Sequence, residues 1–463
     1  MKAVLLIDFG STYTKLTAVD VDSASLLGTA AAYTTVQTDI NNGLMEAMEQ
    51  LKKVTGPITY EETYACSSAA GGLRMVTSGL VPELTGEAAR LASLGAGAKV
   101  VGVYAFQLTE DDLEEIQLAK PDIFLLVGGT DGGNTECILH NAKALASIAP
   151  SFPIVIAGNR TASRQCQRIL EGCEVYVCPN VMPKFGQLQI EPTQKKIREI
   201  FLSRIIHAKG LSKAAELLSD IMMPTPSAVL QAMELLAGGC EGEPGIGELV
   251  AVDVGGATTD VYSIADGMPE HMNTVYKGLP EPYAKRTVEG DIGMRYSLQG
   301  ILDAAGLDQI SRLSGLEKSR ITELAEYLKE NTDIVPNGDA HLEQLDHALA
   351  ACAVEEAVKR HAGSIEETYT MMGQTFIQEG KNLTKVKNIV VTGGSLIHTK
   401  YTAGIAAHAL YSPAQPQSLR PKAADVWVDR TYILAAMGLL SSRYPRTALQ
   451  IMKKELEYHG HSE

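Results

Sequence analysis

The 463-residue sequence contains no C-x-x-C pair, no excess of basic residues and no apolar run near the ~18 residues that cross a bilayer. Its seven cysteines (Cys66, Cys137, Cys166, Cys173, Cys178, Cys240, Cys352) form an odd set, which fits free thiols in a reducing compartment better than a disulfide frame. Cys173 and Cys178 lie closest, and a metal or iron–sulfur role for them ranks behind the free-thiol reading. Lysine and arginine total 40 against 55 acids, a net charge of −15. That excludes binding to nucleic acid or anionic membrane through bulk charge, though not a local basic site. At the start, Ala3 to Ile7 precedes Asp8, too short a run for a signal-peptide core. The expectation is a cytoplasmic protein with no nucleic-acid or membrane partner.

What is present begins with length. The chain exceeds the ~250–300 residues at which one core stops growing, so two domains are expected, 1–240 and 241–463, the second with a mainly helical insertion at about 294–378. The stretch Leu249 to Ile264, LVAVDVGGATTDVYSI, is an apolar strand that meets Asp253, turns on Gly255 and Gly256, and leaves through Ala257, Thr258, Thr259 and Asp260. Paired glycines let backbone N–H groups approach an anion, and carboxylates at Asp253 and Asp260 suit a hard cation held partly through water. A similar stretch opens the chain. Lys2 to Lys15, KAVLLIDFGSTYTK, is an apolar strand followed by Asp8, a turn at Gly10, the hydroxyls of Ser11, Thr12 and Thr14, and Lys15, whose point charge suits phosphate.

Between and after these stretches the chain alternates helix and strand. Helical spacing marks Asn41–Val54, Leu80–Ala98, Glu110–Ala119 and Thr135–Ile148, and strands are expected at Tyr64–Ser67, Lys99–Ala105 and Ile154–Ala157. PDIFLLVGGTDGGN at Pro121–Asn134 is an apolar strand ending on two glycine pairs, and KNIVVTGGSL at Lys387–Leu396 is another ending on Gly393 and Gly394. A turn and helix are expected at Thr287–Leu302, then mainly helix to about Gln378, and a strand with a small-residue helix at Asp425–Ser441. Each half thus opens with a hairpin carrying Asp-x-Gly and later holds an apolar strand ending in Gly-Gly, with Gly128 matched to Gly393. The reading is α/β, an internal duplication in which two facing hairpins grip one nucleotide across a cleft.

These residues resemble the actin-like ATPase superfamily, which includes sugar kinases, actin and the seventy-kilodalton chaperones. DFGSTYTK resembles the first phosphate motif, DVGGATTDV the second, and VVTGGS at Val390–Ser395 the adenosine motif. PTPSAV at Pro224–Val229 and TYILAAMGLL at Thr431–Leu440 resemble the two connecting segments. The resemblance implies duplicated ribonuclease H-like domains around a nucleotide cleft, with ATP or ADP and magnesium as cofactors. Asp8 and Asp253 would be the catalytic, magnesium-facing carboxylates, with Asp260 beside them. Gly10, Ser11, Thr12, Thr14, Lys15 and Gly255 to Thr259 would handle phosphate, and Gly393, Gly394 and Ser395 the adenosine, with Arg295 stacked on the base. More narrowly, IDFGSTYTKLTAVD, DIFLLVGGTDGGN, AVDVGGATTDVYS and VEGDIGMRYSLQGI resemble the GlmL or MutL family, which is not the mismatch-repair protein of that name. That implies an accessory chaperone or reactivating factor for an adenosylcobalamin-dependent mutase such as glutamate mutase. One position departs: the chaperones carry a water-positioning glutamate just before the Pro-Thr of the first connecting segment, and Met223 stands there. Slow hydrolysis is therefore expected. The competing readings are a small-molecule kinase, which needs a carboxylate base over a substrate hydroxyl, an actin-like filament protein, and an iron–sulfur dehydratase activator, which the cysteine spacing disfavours.

Overall fold

The computed structural model describes all residues except 11, 35–39, 69–72, 209–219, 271, 337, 372 and 463. The chain packs as two compact units. The first comprises Met1–Ala232, Gly278–Pro280 and Ala435–Ala448, and the second Met233–Lys277, Glu281–Leu434 and Leu449–Glu463.

The first unit starts with a run of seven buried residues, β1 (Ala3–Phe9), which only a central strand can accommodate. β2 (Tyr13–Asp20) and β3 (Ser25–Tyr33) follow as an antiparallel meander. α1 (Ile40–Thr55) covers that meander with Leu44, Ala47 and Leu51, and β4 (Glu62–Ser67) returns parallel to β1. The chain then leaves this sheet to build another, through β5 (Leu73–Gly79), α2 (Glu87–Gly95), β6 (Ala98–Ala105), α3 (Glu110–Ala119), β7 (Ile123–Leu126), α4 (Glu136–Ser147), β8 (Ile154–Ile156), α5 (Arg160–Ile169) and β9 (Val175–Val177). These strands are all parallel and ordered β6-β5-β7-β8-β9. After α6 (Glu191–Ala208), β10 (Asp220–Pro224) rejoins the first sheet parallel to β4, which completes the order β3-β2-β1-β4-β10, and α7 (Thr225–Gly238) leaves it.

The second unit opens with a short hairpin, β11 (Gly239–Cys240) and β12 (Glu243–Pro244). β13 (Leu249–Val254) and β14 (Thr259–Ile264) form the next. β15 (Thr274–Lys277) is followed by β16 (Ala284–Glu289), antiparallel to β14, and by the helices α8 (Leu298–Ser314), α9 (Lys318–Glu330) and α10 (Ala340–His361). β17 (Ser364–Thr370) and β18 (Gly373–Glu379) join β15 in a small sheet. β19 (Asn388–Thr392) runs parallel to β13, and α11 (Gly394–Ile397) and α12 (Thr402–Ala406) precede β20 (Ala424–Val428), parallel to β19. α13 (Leu434–Ser441) and α14 (Pro445–Glu455), which belong to the first unit over Ala435–Ala448, and β21 (Glu457–Ser462) end the chain, and the sheet reads β16-β14-β13-β19-β20-β21.

Three antiparallel strands followed by two parallel ones, in the order 3-2-1-4-5, thus occur once in each unit. This is the duplicated ribonuclease H-like arrangement of actin-like ATPases, and it is carried by strand pairing and not by length or composition. Three sequence expectations change. Gly128 follows β7 in the separate parallel sheet, so the true counterpart of the strand before Gly393 is β4, which pairs with β1 as β19 pairs with β13. Thr287 lies inside β16, not in a turn. Finally, the stretch to Gln378 ends in the strands β17 and β18, not in helix.

The small residues of the second connecting segment have a packing reason. A Cβ on Gly438 of α13 would lie 1.8 Å from the carbonyl oxygen of Ala228 on α7, so only glycine lets these two helices, both in the first unit at this point, cross so closely.

Candidate functional site

In the first unit Asp8 is the last residue but one of β1 and is opposed across the hairpin by Lys15. The Lys15 ammonium stands 3.6 Å from Asp8 Oδ2, the lysine side chain a quarter exposed and the aspartate buried. On the other carboxylate oxygen, Thr225 Oγ1 donates a 2.6 Å hydrogen bond and Cys66 Sγ approaches to 3.5 Å. Burial, and then the Asp8 carboxylate, push the Cys66 thiol well up, which keeps it a neutral donor. Between the strands Gly10 N–H bonds to Tyr13 O at 3.1 Å, and a Cβ on Gly10 would sit 2.5 Å from that same oxygen, so the turn requires glycine. Thr12 is half-buried at the turn. Thr14 is on the opposite face from Lys15, fully buried, with its hydroxyl 3.1 Å from Thr34 Oγ1. Ser11 lies outside the described residues.

The second unit repeats this geometry with other side chains. Asp253 occupies the place of Asp8 and is opposed by Asp260. Gly255 N–H bonds to Thr258 O at 2.9 Å, as Gly10 does to Tyr13. Tyr432, itself at φ +57°, points its hydroxyl at Asp253 Oδ1, 3.5 Å away. Asp260 is taken by a buried cation: Arg286 Nε on β16 donates to Asp260 Oδ1 at 2.7 Å. The turn is held from outside, since the carbonyls of Gly255 and Gly256 accept from the amides of Met294, Arg295 and Tyr296. Thr259 is buried and bonds Ile292 O, whereas Gly256 and Ala257 are exposed and Thr258 is half-buried.

Gly393 has φ +106°, and a Cβ there would meet Val254 O at 2.3 Å, so the turn after β19 lies directly on the end of β13. Gly394 is exposed and Ser395 half-exposed. Arg295 is not displayed for stacking: it is buried, with Nη1 2.7 Å from Asp346 Oδ1 and further bonds to the carbonyls of Met294 and Ile334. Within the second unit the structure therefore gathers Asp253, Gly255 to Thr258 and Gly393. It commits Asp260 and Arg295 to ion pairs of their own.

Sequence reasoning missed Thr225, Cys66, Arg286 and Asp429. Register reveals Cys66 and Asp429, while Thr225 enters from the start of α7 and Arg286 from β16, where it is paired with Tyr262. In the first sheet Lys15, Asp8, Cys66 and Met223 form one row across β2-β1-β4-β10. In the second sheet the same row reads Asp260, Asp253 and Thr392, continued by Asp429 one residue past β20, whose carboxylate accepts from Thr392 Oγ1 at 3.3 Å. Met223 is buried at the end of its row. Asp429, its counterpart, accepts from the amides of Ile433 and Leu434 at the start of α13. Cross-sheet rows depend on which strands pair, and no local motif announces them.

A duplicated 3-2-1-4-5 sheet with an aspartate and a glycine turn at the end of each first strand defines the class as actin-like ATPase fold. The chain belongs to the MutL protein family, matched over residues 4–456. It is 46% identical over 460 residues to Protein MutL of Clostridium tetanomorphum, covering 98% of this chain and 99% of that one. Among solved structures, the nucleotide-free diol dehydratase-reactivating factor is similar over 96% of this chain and 100% of its own, at 11% identity and a TM-score of 0.38. The (R)-2-hydroxyglutaryl-CoA dehydratase component A of Acidaminococcus fermentans is similar over 98% and 99%, at 8% identity and a TM-score of 0.33. Overlaps this loose decide nothing about chemistry, and the fold rests on strand order.

Proposed function

We propose that the protein is a magnesium-dependent, slowly hydrolysing ATPase that serves as an accessory or reactivating factor for an adenosylcobalamin-dependent mutase, glutamate mutase or a relative. The observation that carries the nucleotide part is the register match of Asp8 with Asp253, each followed by a turn in which a glycine amide bonds back across the hairpin. Lys15 and the glycine turns handle phosphate, Asp8 and Asp253 are the catalytic carboxylates, and Gly393 to Ser395 handle the adenosine. Among the described residues no group of three or more His, Cys, Asp or Glu side chains is placed to hold a metal. Magnesium does not need one, because it is usually held by one or two carboxylates together with substrate phosphates and water. The residues fit it unequally. Asp8 lies against Lys15 and Asp260 against Arg286, whereas Asp253 accepts from the Tyr432 hydroxyl at 3.5 Å. Magnesium bound there would supply charge neutralisation to the phosphate oxygens.

The mutase part is supported by family membership and by the sequence resemblance that named it. With Met223 in place of a water-positioning carboxylate, this chain contributes binding and electrostatics and no strong base. The test is co-purification of the protein with candidate cobalamin mutases in ATP and in ADP, together with phosphate release. Nucleotide-dependent capture of one mutase and its reactivation after cofactor damage are expected. ATP hydrolysis with no mutase captured in either nucleotide would refute the accessory role and leave the ATPase.

A further inference from the structure

The second unit carries a strained tyrosine beside one of the site carboxylates. β20 ends at Val428, and Asp429, the next residue, is fully buried. Its Oδ1 accepts from the Ile433 amide at 2.9 Å and its Oδ2 from the Leu434 amide at 3.2 Å, while its carbonyl accepts from the Tyr432 amide at 3.3 Å. These bonds to one aspartate close residues 429–434 into a compact turn at the start of α13. The turn sets Tyr432 at φ +57°. A left-handed backbone is disfavoured for an aromatic residue and is adopted at less cost by glycine or asparagine. It persists where surrounding bonds over-determine it, and such strain gathers at functional sites.

What the strained backbone delivers is a hydroxyl. The Tyr432 ring packs partly against the core of this unit, and its oxygen reaches to 3.5 Å from Asp253 Oδ1. The aspartate that fixes the turn is also tied to the row in which Asp253 lies. Asp429 Oδ2 accepts from Thr392 Oγ1 at 3.3 Å, and Thr392 pairs with Asp253 across β19 and β13. Asp429 therefore sets both the conformation of the turn and its place along the sheet row. All four residues belong to the second unit.

Chemistry narrows the role. Asp8 lies against the Lys15 ammonium and Asp260 against the Arg286 guanidinium, and each cation offsets the charge of its carboxylate. A tyrosine hydroxyl donates a hydrogen bond and adds no charge. It restricts how the half-buried Asp253 carboxylate turns and leaves the negative charge for a cation. Removing a hydrogen-bond donor from behind a metal-binding side chain typically costs about 10–100-fold in metal affinity. We propose that Tyr432 is a positioning residue: its hydroxyl orients Asp253 toward a divalent cation bound together with nucleotide phosphate, and Asp429 holds the turn that presents it. The proposal rests on the ATPase reading above and is independent of the mutase reading.

The full chain is titrated with Mn2+ in the presence of ADP, free Mn2+ being read by electron paramagnetic resonance, and separately with ADP in EDTA. Wild type is compared with Tyr432→Phe, which keeps the ring and lacks the hydroxyl, and with Tyr432→Gly, which accepts the positive φ. Both variants should bind Mn2+ about ten-fold more weakly, with metal-free ADP affinity held within about two-fold. A ring that only packs would leave Tyr432→Phe like wild type. Unchanged Mn2+ affinity in Tyr432→Phe, a loss confined to Tyr432→Gly, or an equal loss of Mn2+ and metal-free ADP affinity therefore overturns the proposal. If wild type binds Mn2+ with ADP and Tyr432→Phe binds it equally well, this inference alone fails and the ATPase reading stands. If wild type binds no Mn2+ with ADP, the ATPase reading fails and takes the proposal with it.

Discussion

Hairpin β1–β2 and hairpin β13–β14 hold the same place in the same strand order, but they balance charge in opposite ways. In the first, a single carboxylate, Asp8, meets a cation directly across the ladder, and its free oxygen is tied by Thr225 and Cys66. In the second, carboxylate faces carboxylate, and the compensating cation arrives from the third strand as Arg286. The ends of the two rows differ in the same sense, apolar at Met223 and acidic at Asp429. Duplication kept the backbone, the glycine turn and one aspartate, while the neighbours diverged. The first hairpin sets a lysine against its aspartate, and the second sets two carboxylates together, one of them, Asp260, already held by Arg286.

The largest way to break the comparison is through Arg286. Arg286→Met strands Asp260 beside Asp253 without its buried partner and should cost about 3–5 kcal/mol in chemical denaturation. Asp260→Leu combined with Arg286→Met should recover most of that loss, and no recovery would mean that the arginine acts by packing alone. Next come Asp8→Ala and Asp253→Ala, each expected to lower magnesium-dependent ATP hydrolysis by about 100-fold or more with circular dichroism unchanged. Normal hydrolysis in both would sink the site assignment, and loss in only one would show that a single hairpin does the chemistry. Lys15→Met should weaken ATP binding by about ten-fold while shifting stability by less than about 1 kcal/mol, because this pair is longer and partly solvated. The same substitution tested for magnesium affinity should have little effect.

The smallest effect concerns the far end of the same strands, where Glu62 on β4 and Asn388 on β19 occupy matching positions. Hydrogen bonds from Lys2 first, and then from Tyr64, hold the Glu62 carboxyl down at about 2, against an ordinary value of 4.5. A depressed carboxylate contributes stability that is fully present above its unfolded value and is lost as pH falls through the folded one. Acid titration between about 4.5 and 2 should therefore loosen the first unit by of order 1 kcal/mol or less through this group. Glu62→Gln should flatten that slope. At Asn388, which bonds the carbonyls of Ile246 and Glu248 and the Trp427 indole, no such titration exists.

How much of this was legible in the chain follows from the range of the forces involved. β1 and β13 were readable because unbroken apolar runs ending in Asp-x-Gly are local statements about burial and turn geometry. β16 was not, because the buried residues of Ala284–Glu289 are Lys285, Arg286 and Thr287, so the strand shows no apolar alternation. β17, with SIEETYT largely exposed, shows none either. Gly128 and Gly393 carry the same strand-then-glycine signature. Only the partners of the preceding strands separate them, and pairing is a long-range property.

The amino-acid sequence by itself determined that two strand-turn-strand elements with aspartate and glycine would exist, and that Met223 would not supply a catalytic carboxylate. These depend on side-chain type and on backbone conformations that neighbouring residues set. Tertiary structure alone decided that Asp260 and Arg295 would be committed to ion pairs, that Thr225 would clamp Asp8, and that VGGTDGGN would follow the central strand of a separate parallel sheet. Each of those outcomes depends on which distant strand or helix arrives alongside, and hydrogen-bond register, not local composition, selects that neighbour.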